Sequence, residues 1–168
     1  MTIHRAATAG LAGPAVAVSL GHRDLDAAEH WIRRLDPAPE LACTHLVREP
    51  YPHVAITLVT TATYPTAPEL AAGARAAAAD RGGRAVVYPG VHRLVGTLTV
   101  AEVLAAGAID RVEVLGGGPA DPAALLDTRD FVRPQFRDGE LVLVTTPAAG
   151  GRLVPFETRH PTPCCAAH

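Results

Sequence analysis

The fold prediction starts from residues 41–61, which read LACTHLVREPYPHVAITLVTT. Residues 41–47 and 53–61 are rich in apolar and β-branched side chains, and a short segment with two prolines joins them. Two such runs with a short connection are typical of a β-hairpin. We therefore expect an antiparallel pair of strands in the N-terminal half of the chain.

The segments on either side of this hairpin alternate between strand and helix. Residues 16–20 form an apolar run that ends at a glycine, which is typical of a buried strand. Asp24 or Asp26 can cap the helix that follows, whose apolar residues recur at helical spacing. After the hairpin, an Ala-rich helix ends at a pair of glycines, and residues 84–88 form another strand.

The order of these elements defines the predicted fold class. Strand, helix, strand, strand, helix, strand is the split order of a ferredoxin-like βαββαβ core, so we predict an α+β protein. An open α/β sandwich is the alternative, because the order of strands within a sheet cannot be read from one sequence.

A strand-helix-strand unit is expected to extend this core. Thr99 and Glu102 have the spacing of a capping box, which marks the start of its helix. The three elements are predicted at residues 91–98, 99–107 and 111–115.

The last part of the chain is predicted to form a β-meander. Asp121 and Pro122 are expected to begin a further short helix before it, because Asp favours the N-cap and Pro the first helical position. The strands of the meander are predicted at residues 131–136, 140–146 and 152–156. No linker interrupts the chain, so we expect residues 1–168 to form one domain, with residues 158–168 as a Cys/His-containing C-terminal tail.

Composition excludes several classes of function. The 168 residues carry a net charge of −2 and only 4% aromatic residues, which argues against a nucleic-acid-binding protein. All fifteen basic residues are arginines. Without lysine the chain cannot form a Schiff base or a phosphate-binding P-loop. No apolar run is long and unbroken enough to cross a membrane.

Cysteine usage and the N-terminus indicate the compartment. The three cysteines, two of them adjacent, do not form the disulfide framework of a secreted domain. Gly10, Gly13 and Pro14 interrupt the apolar N-terminal stretch, so it does not have the pattern of a signal peptide. We expect a cytoplasmic protein.

The tail of the chain contains a candidate metal site. Thiolate and imidazole groups together suit Zn²⁺ or copper, and prolines stiffen the approach to them. Adjacent cysteines are too close to form a disulfide readily, so both thiols are available. In the body of the chain, Cys43 and His45 would lie on one face of a strand and could complete a four-ligand site. The candidate ligands are Cys164, Cys165, His160, His168, Cys43 and His45. The alternative is a mobile tail with free thiols and a buried Cys43.

A second group of candidates could bind an anion. Gly116, Gly117 and Gly118 lie between a predicted strand and a predicted helix, where backbone N–H groups can hold a phosphate or carboxylate. His92 and Arg93 follow Tyr88 near one turn and, together with Arg133 and Arg137, could line a pocket for an acidic ligand. A tight structural turn and ordinary surface charge are the alternatives for these two groups.

A third cluster follows the first strand, where the sites of α/β proteins often lie. It contains His22, Arg23, Asp24 and Asp26. His22 could act as a base that a neighbouring carboxylate orients, but the two aspartates are better interpreted as helix-capping residues.

Three functions remain open from the sequence. The first is a small metal-binding protein that holds Zn or Cu through the His/Cys tail. The second is an enzyme or binding domain for a small acidic metabolite. The third is a non-catalytic interaction module that forms a homodimer or larger homo-oligomer through a sheet face or edge.

Overall fold

The structure, a computed structural model, describes residues 14–159. The N-terminal half contains β1 (Ala15–His22), α1 (Leu25–Arg33), β2 (Leu41–Val47), β3 (His53–Val59), α2 (Ala71–Ala79) and β4 (Arg84–Val87). The C-terminal half contains β5 (Thr97–Thr99), α3 (Val100–Ala106), β6 (Arg111–Val114), β7 (Gly118–Pro119), β8 (Leu125–Asp127), β9 (Gln135–Arg137), β10 (Glu140–Ala148) and β11 (Arg152–Pro155).

These strands belong to one mixed sheet, and the α+β class is confirmed. Its order is β1-β3-β2-β4-β9-β10-β11-β8-β5, and β6 lies against β10 and β7. The predicted hairpin is confirmed, since β2 and β3 pair antiparallel from Leu41 opposite Val59 to Val47 opposite His53. The ferredoxin-like core is not confirmed. The strand β4 pairs with β2 on one side and β9 on the other, so the sheet continues into the C-terminal half instead of ending at four strands.

The two helices of the N-terminal half pack on opposite faces of the sheet. Successive side chains of β3 point to opposite faces, so Ile56 lies on one face and Ala55 on the other. Ile32 of α1 packs in the buried cluster that contains Ile56, whereas Ala77 of α2 packs on Ala55. The first of these faces carries the candidate site described below.

Another apolar cluster joins the two halves: Val103, Leu126 and Leu141 of the C-terminal half are almost fully buried in it, together with Cys43 and Ala85 of the N-terminal half. The strand-helix-strand unit and the meander are present, with α3 starting at the predicted capping box of Thr99 and Glu102. None of the helices within residues 14–159 has the length and apolar character needed to span a bilayer.

Two local predictions in this half are wrong. The strand predicted over residues 91–98 is reduced to β5, because Gly90 has a φ of 85° and leads into a 3-10 helix at Val91–Arg93. No helix begins at Asp121. Its carboxylate accepts a hydrogen bond from the N–H of Ala123, which closes a turn before β8, and short side chains of this type favour turns as well as helix caps.

Candidate functional site

A groove of about 1350 Å³ lies between the N-terminal and C-terminal halves of the sheet. The ends of β2 and β3 and the middle of β10 form its base, and the start of α1 and the segment after β11 line its sides. Six arginines line it: Arg23, Arg48, Arg84, Arg133, Arg137 and Arg159. The carboxylates in the lining are those of Asp24, Asp26 and Glu157, so guanidinium groups outnumber carboxylates two to one.

Apolar side chains are exposed in the same groove. Leu46 of β2 is 77% exposed, Phe156 after β11 is 59% exposed, and Leu115 after β6 is 55% exposed. These residues come from three separate parts of the chain. Single exposed apolar residues are ordinary on protein surfaces, but several that meet in one concavity among charged groups are typical of a binding site.

A buried ionic network holds the wall of the groove together. Glu29 of α1 has a side chain that is only 5% exposed, and it accepts hydrogen bonds from Arg133 Nε at 2.9 Å and from Arg33 Nη2 at 2.6 Å. Arg84 Nη2 lies 2.8 Å from Glu29 Oε1, and its guanidinium also donates to the Glu157 carboxylate. Three guanidinium groups therefore share two carboxylates, which leaves one positive charge in excess beside the groove.

This network determines the ionisation of Glu29. Burial alone would raise the pKa of its carboxyl, but the hydrogen bonds and charges of Arg133 and Arg84 outweigh that effect and lower the pKa to about 2. Glu29 is thus a fixed anion that binds arginines from β4 and from the segment before β9 to α1. Arg84 and Arg133, both under 10% exposed, are committed to this structural role.

Most of the remaining arginines of the groove are available for a ligand. Arg48 has no ion-pair or hydrogen-bond partner within residues 14–159. Arg137 is half-exposed and has only a 3.5 Å contact with Glu113, and the largely exposed Arg23 lies 3.3 Å from Asp24. Exposed ion pairs of this kind contribute little energy, so an anion can displace them. Arg159 is already engaged: its Cζ lies 5.5 Å from the centroid of the Phe131 ring, and its Nη2 donates a hydrogen bond to the Asp130 carbonyl oxygen at 3.2 Å.

The cluster after the first strand contributes to this groove. Arg23, Asp24 and Asp26 all line it. The capping interpretation of Asp24 is confirmed, since its side chain accepts a hydrogen bond from the N–H of Ala27 at the start of α1. His22 contacts Trp31 with their ring centroids 5.9 Å apart, and burial lowers its pKa.

A hydrogen-bonded chain on the opposite face of the sheet involves the predicted ligand His45. Asp80 Oδ2 lies 2.8 Å from His45 Nδ1, and Thr57 Oγ1 lies 2.8 Å from His45 Nε2. The Asp80 pKa is lowered, mainly by the hydrogen bond from His45 acting against burial, so its carboxylate accepts from Nδ1–H. Nε2 then accepts from the Thr57 hydroxyl. Burial lowers the pKa of His45 itself, which keeps the ring neutral.

The order of donors and acceptors in this chain is that of a nucleophile–base–acid triad. However, none of Thr57, His45 and Asp80 lines the groove, and His45 is buried beneath Gly83. We therefore assign the chain a structural role: it satisfies both nitrogens of a histidine that the fold has buried.

A second buried hydroxyl–imidazole pair lies beneath α2. Ser19 Oγ is 2.6 Å from His53 Nε2, and His53 Nδ1 is 2.7 Å from the Tyr51 carbonyl oxygen. Because a carbonyl can only accept, Nδ1 carries the proton and Nε2 accepts from the Ser19 hydroxyl. Gly73 of α2 lies directly over this contact and leaves no room for a substrate on that side.

The Gly73→Ala substitution tests how tightly α2 covers this pair. Alanine would favour the helix by about 1 kcal/mol, but its Cβ would lie 2.6 Å from His53 Nε2 and 3.1 Å from Ser19 Oγ. Two hydrogen bonds hold the imidazole in place, so we expect a net loss of about 1–2 kcal/mol in urea denaturation, within the range for overpacking. Gly82→Ala, whose Cβ would meet no atom closer than 3.4 Å, is the matched control. A Gly73→Ala protein more stable than the natural chain would contradict the close contact.

The predicted metal site is only partly within the described residues. Cys43 and His45 do lie on one face of β2, where both are adjacent to Gly83. Burial raises the pKa of the Cys43 thiol to about 12, so it is protonated, and both nitrogens of His45 are hydrogen-bonded. No group of three or more His, Cys, Asp or Glu side chains within residues 14–159 is arranged to hold a metal ion. His160, Cys164, Cys165 and His168 lie outside the described residues, so a Zn or Cu site in the tail stays a prediction.

The structure does not bring the predicted anion-binding residues together as expected. Gly116 and Gly117 lie in the turn between β6 and β7, and Gly118 is the first residue of β7. The prediction of an anion site depended on a helix directly after these glycines, and residues 119–124 contain no helix. His92 and Arg93 are exposed on a 3-10 helix, and neither lines the groove. Arg133 and Arg137, which the sequence grouped with them, do line it.

Comparison with known protein families, characterised proteins and solved structures finds no match to this chain. The groove is therefore interpreted from its own chemistry. Sequence reasoning missed Glu29, although its position carries a signal: it is four residues from Leu25 and three from Ile32, both on the apolar stripe of α1. A charged residue on a buried stripe indicates a buried ion pair.

Proposed function

We propose that this protein is a binding domain for an anionic ligand with an apolar part, and that the groove is its binding site. The observation that supports this most strongly is the grouping of six of the fifteen arginines around one concavity in a chain whose net charge is −2. Guanidinium groups bind carboxylate and phosphate through paired hydrogen bonds, and Leu46, Leu115 and Phe156 offer the apolar contacts.

The arginines divide into two roles in this proposal. Arg84 and Arg133 are held by Glu29 and Glu157 and keep the wall of the groove in place. Arg48 and Arg137 are exposed to a ligand and make the direct contacts. This arrangement differs from the site predicted from the sequence, because Arg93 and the glycine turn take no part in it.

Calorimetric titration with benzenetricarboxylate, a compact ring with three carboxylates, tests the proposal. We expect saturable binding at low ionic strength that weakens as salt is added. The double variant Arg48→Gln/Arg137→Gln should bind at least about tenfold more weakly, because a hydrogen bond to a charged group contributes about 1.5–3 kcal/mol. The control is Arg75→Gln/Arg93→Gln, two exposed arginines that do not line the groove.

Equal losses of affinity in the two double variants would contradict the assignment of the site. An absence of binding both by benzenetricarboxylate and by the acidic peptide described below would contradict the function. Catalytic activity, a homodimer, metal binding by the tail and a cytoplasmic location are separate hypotheses from the sequence. They stay predictions.

A further inference from the structure

We infer that the natural occupant of the groove is an acidic peptide segment of a partner protein, with apolar side chains among its Asp and Glu residues. This inference rests on the proposed function and specifies its ligand. Three properties of the groove support it: its size, the separation of its apolar contacts, and the hydrogen bonding of its base.

The size of the groove favours a peptide over a metabolite. Pockets for small ligands usually measure about 300–1000 Å³, whereas this groove measures about 1350 Å³ and is open to solvent. A compact acid such as benzenetricarboxylate can bind the arginines but occupies only part of that volume, so it should bind more weakly than a peptide. A peptide segment can contact both sides of the groove at once.

The apolar contacts are distributed as separate anchor points. Leu46, Leu115 and Phe156 come from β2, from the turn after β6 and from the segment after β11. Arginines line the same groove, so the lining offers both apolar and cationic contacts. A peptide that carries both acidic and apolar side chains has the complementary chemistry, and exposed apolar anchors are where binding energy concentrates in protein interfaces.

The base of the groove determines how such a peptide can bind. The middle of β10 pairs with β6 over residues 142–144, and Val142 also pairs with β9, so this part of the base lies inside the sheet. A peptide therefore cannot add to the sheet as a further strand along β10. Along this strand the side chains of the peptide must make the contacts, which gives the arginines and the apolar residues of the lining a direct part in specificity.

The test is fluorescence polarisation with the full-length protein and a short fluorescein-labelled peptide in which Asp and Glu alternate with Leu and Phe. Two control peptides replace the acids with Asn and Gln, or the apolar residues with Ser. We expect the first peptide to bind at least about tenfold more tightly than either control. The double variant Leu46→Ser/Phe156→Ser should weaken binding of the first peptide by a similar factor. Both side chains are exposed, so the fold is not expected to depend on them.

The outcomes separate this inference from the proposed function. If benzenetricarboxylate binds in the groove and the acidic peptide does not, the inference is overturned while the proposed function stands. If neither binds, both are overturned. Tighter binding of a synthetic peptide of residues 160–168 would assign the groove to the chain's own tail. A dimer in sedimentation that Leu46→Ser/Phe156→Ser dissociates would assign it to a second copy. Either result overturns the inference.

Discussion

The Glu29→Gln variant is expected to lose about 3–5 kcal/mol of its free energy of unfolding at neutral pH. The substitution keeps the shape of the side chain but removes the charge that Arg84 and Arg133 share in a buried setting. Removing one partner of a buried ion pair commonly costs that much, because the other charge stays buried without compensation. Such a loss is a large part of the stability of a single domain. Urea denaturation measures it.

Glu69→Gln is the matched control, since Glu69 is exposed in the 3-10 helix before α2 and its loss should change stability by less than about 0.5 kcal/mol.

The pH dependence gives a second test of the same network. The pKa of Glu29 is lowered from 4.5 to about 2, so its contribution is complete above pH 4.5 and is lost as the pH falls towards 2. The difference in the free energy of unfolding between the natural chain and Glu29→Gln should therefore shrink as the pH falls from 4.5 to 2. A difference of less than about 0.5 kcal/mol at pH 7 would contradict the network.

The Gly90→Ala variant is expected to lose at least about 3 kcal/mol, or to fail to fold. Gly90 has a φ of 85°, and a Cβ there would lie 2.1 Å from the carbonyl oxygen of Ala106 and 2.8 Å from the Cα of Gly107. Both neighbours are backbone at the end of α3, so no rotamer change relieves the contact. Left-handed strain adds about 1–2 kcal/mol.

Gly96→Ala separates the two contributions to that loss. Gly96 has a φ of 67°, but a Cβ there would meet no atom within 4 Å. We expect Gly96→Ala to lose only about 1–2 kcal/mol of its free energy of unfolding, which is the cost of the left-handed backbone strain alone. Thermal or urea denaturation of both variants makes the comparison. Equal stability of the two variants would mean that the chain after β4 does not approach α3 as closely as described.

Local patterns predicted much of this fold, and pairing over long distances was what they could not predict. The hairpin of β2 and β3 follows from two β-branched runs with a short connection, and α1 follows from its apolar stripe and the Asp24 cap. The position of β4 beside β2 depends on contacts with β9, some fifty residues later in the chain. Nothing in residues 84–88 alone distinguishes that partner from β1.

The site was less predictable than the fold for a related reason. Arg133 and Arg137 were identified as candidates for an acidic ligand, but their neighbours in the groove come from β2, α1 and the segment after β11. Chain proximity favoured His92 and Arg93 instead. The role of Glu29 was hidden because a glutamate on a helix is usually exposed, and only its three arginine contacts explain its burial.

Nuclear magnetic resonance of the arginine side chains tests the central claim most directly, because every basic residue of the chain other than histidine is an arginine. The Nε–Hε signals, assigned through single Arg→Gln variants, are followed while benzenetricarboxylate is added. We predict saturable shifts of the Arg48 and Arg137 signals with one common Kd, and unchanged signals from Arg75 and Arg93. Shifts spread evenly over all the exposed arginines, or confined to Arg75 and Arg93, would contradict a binding site in the groove.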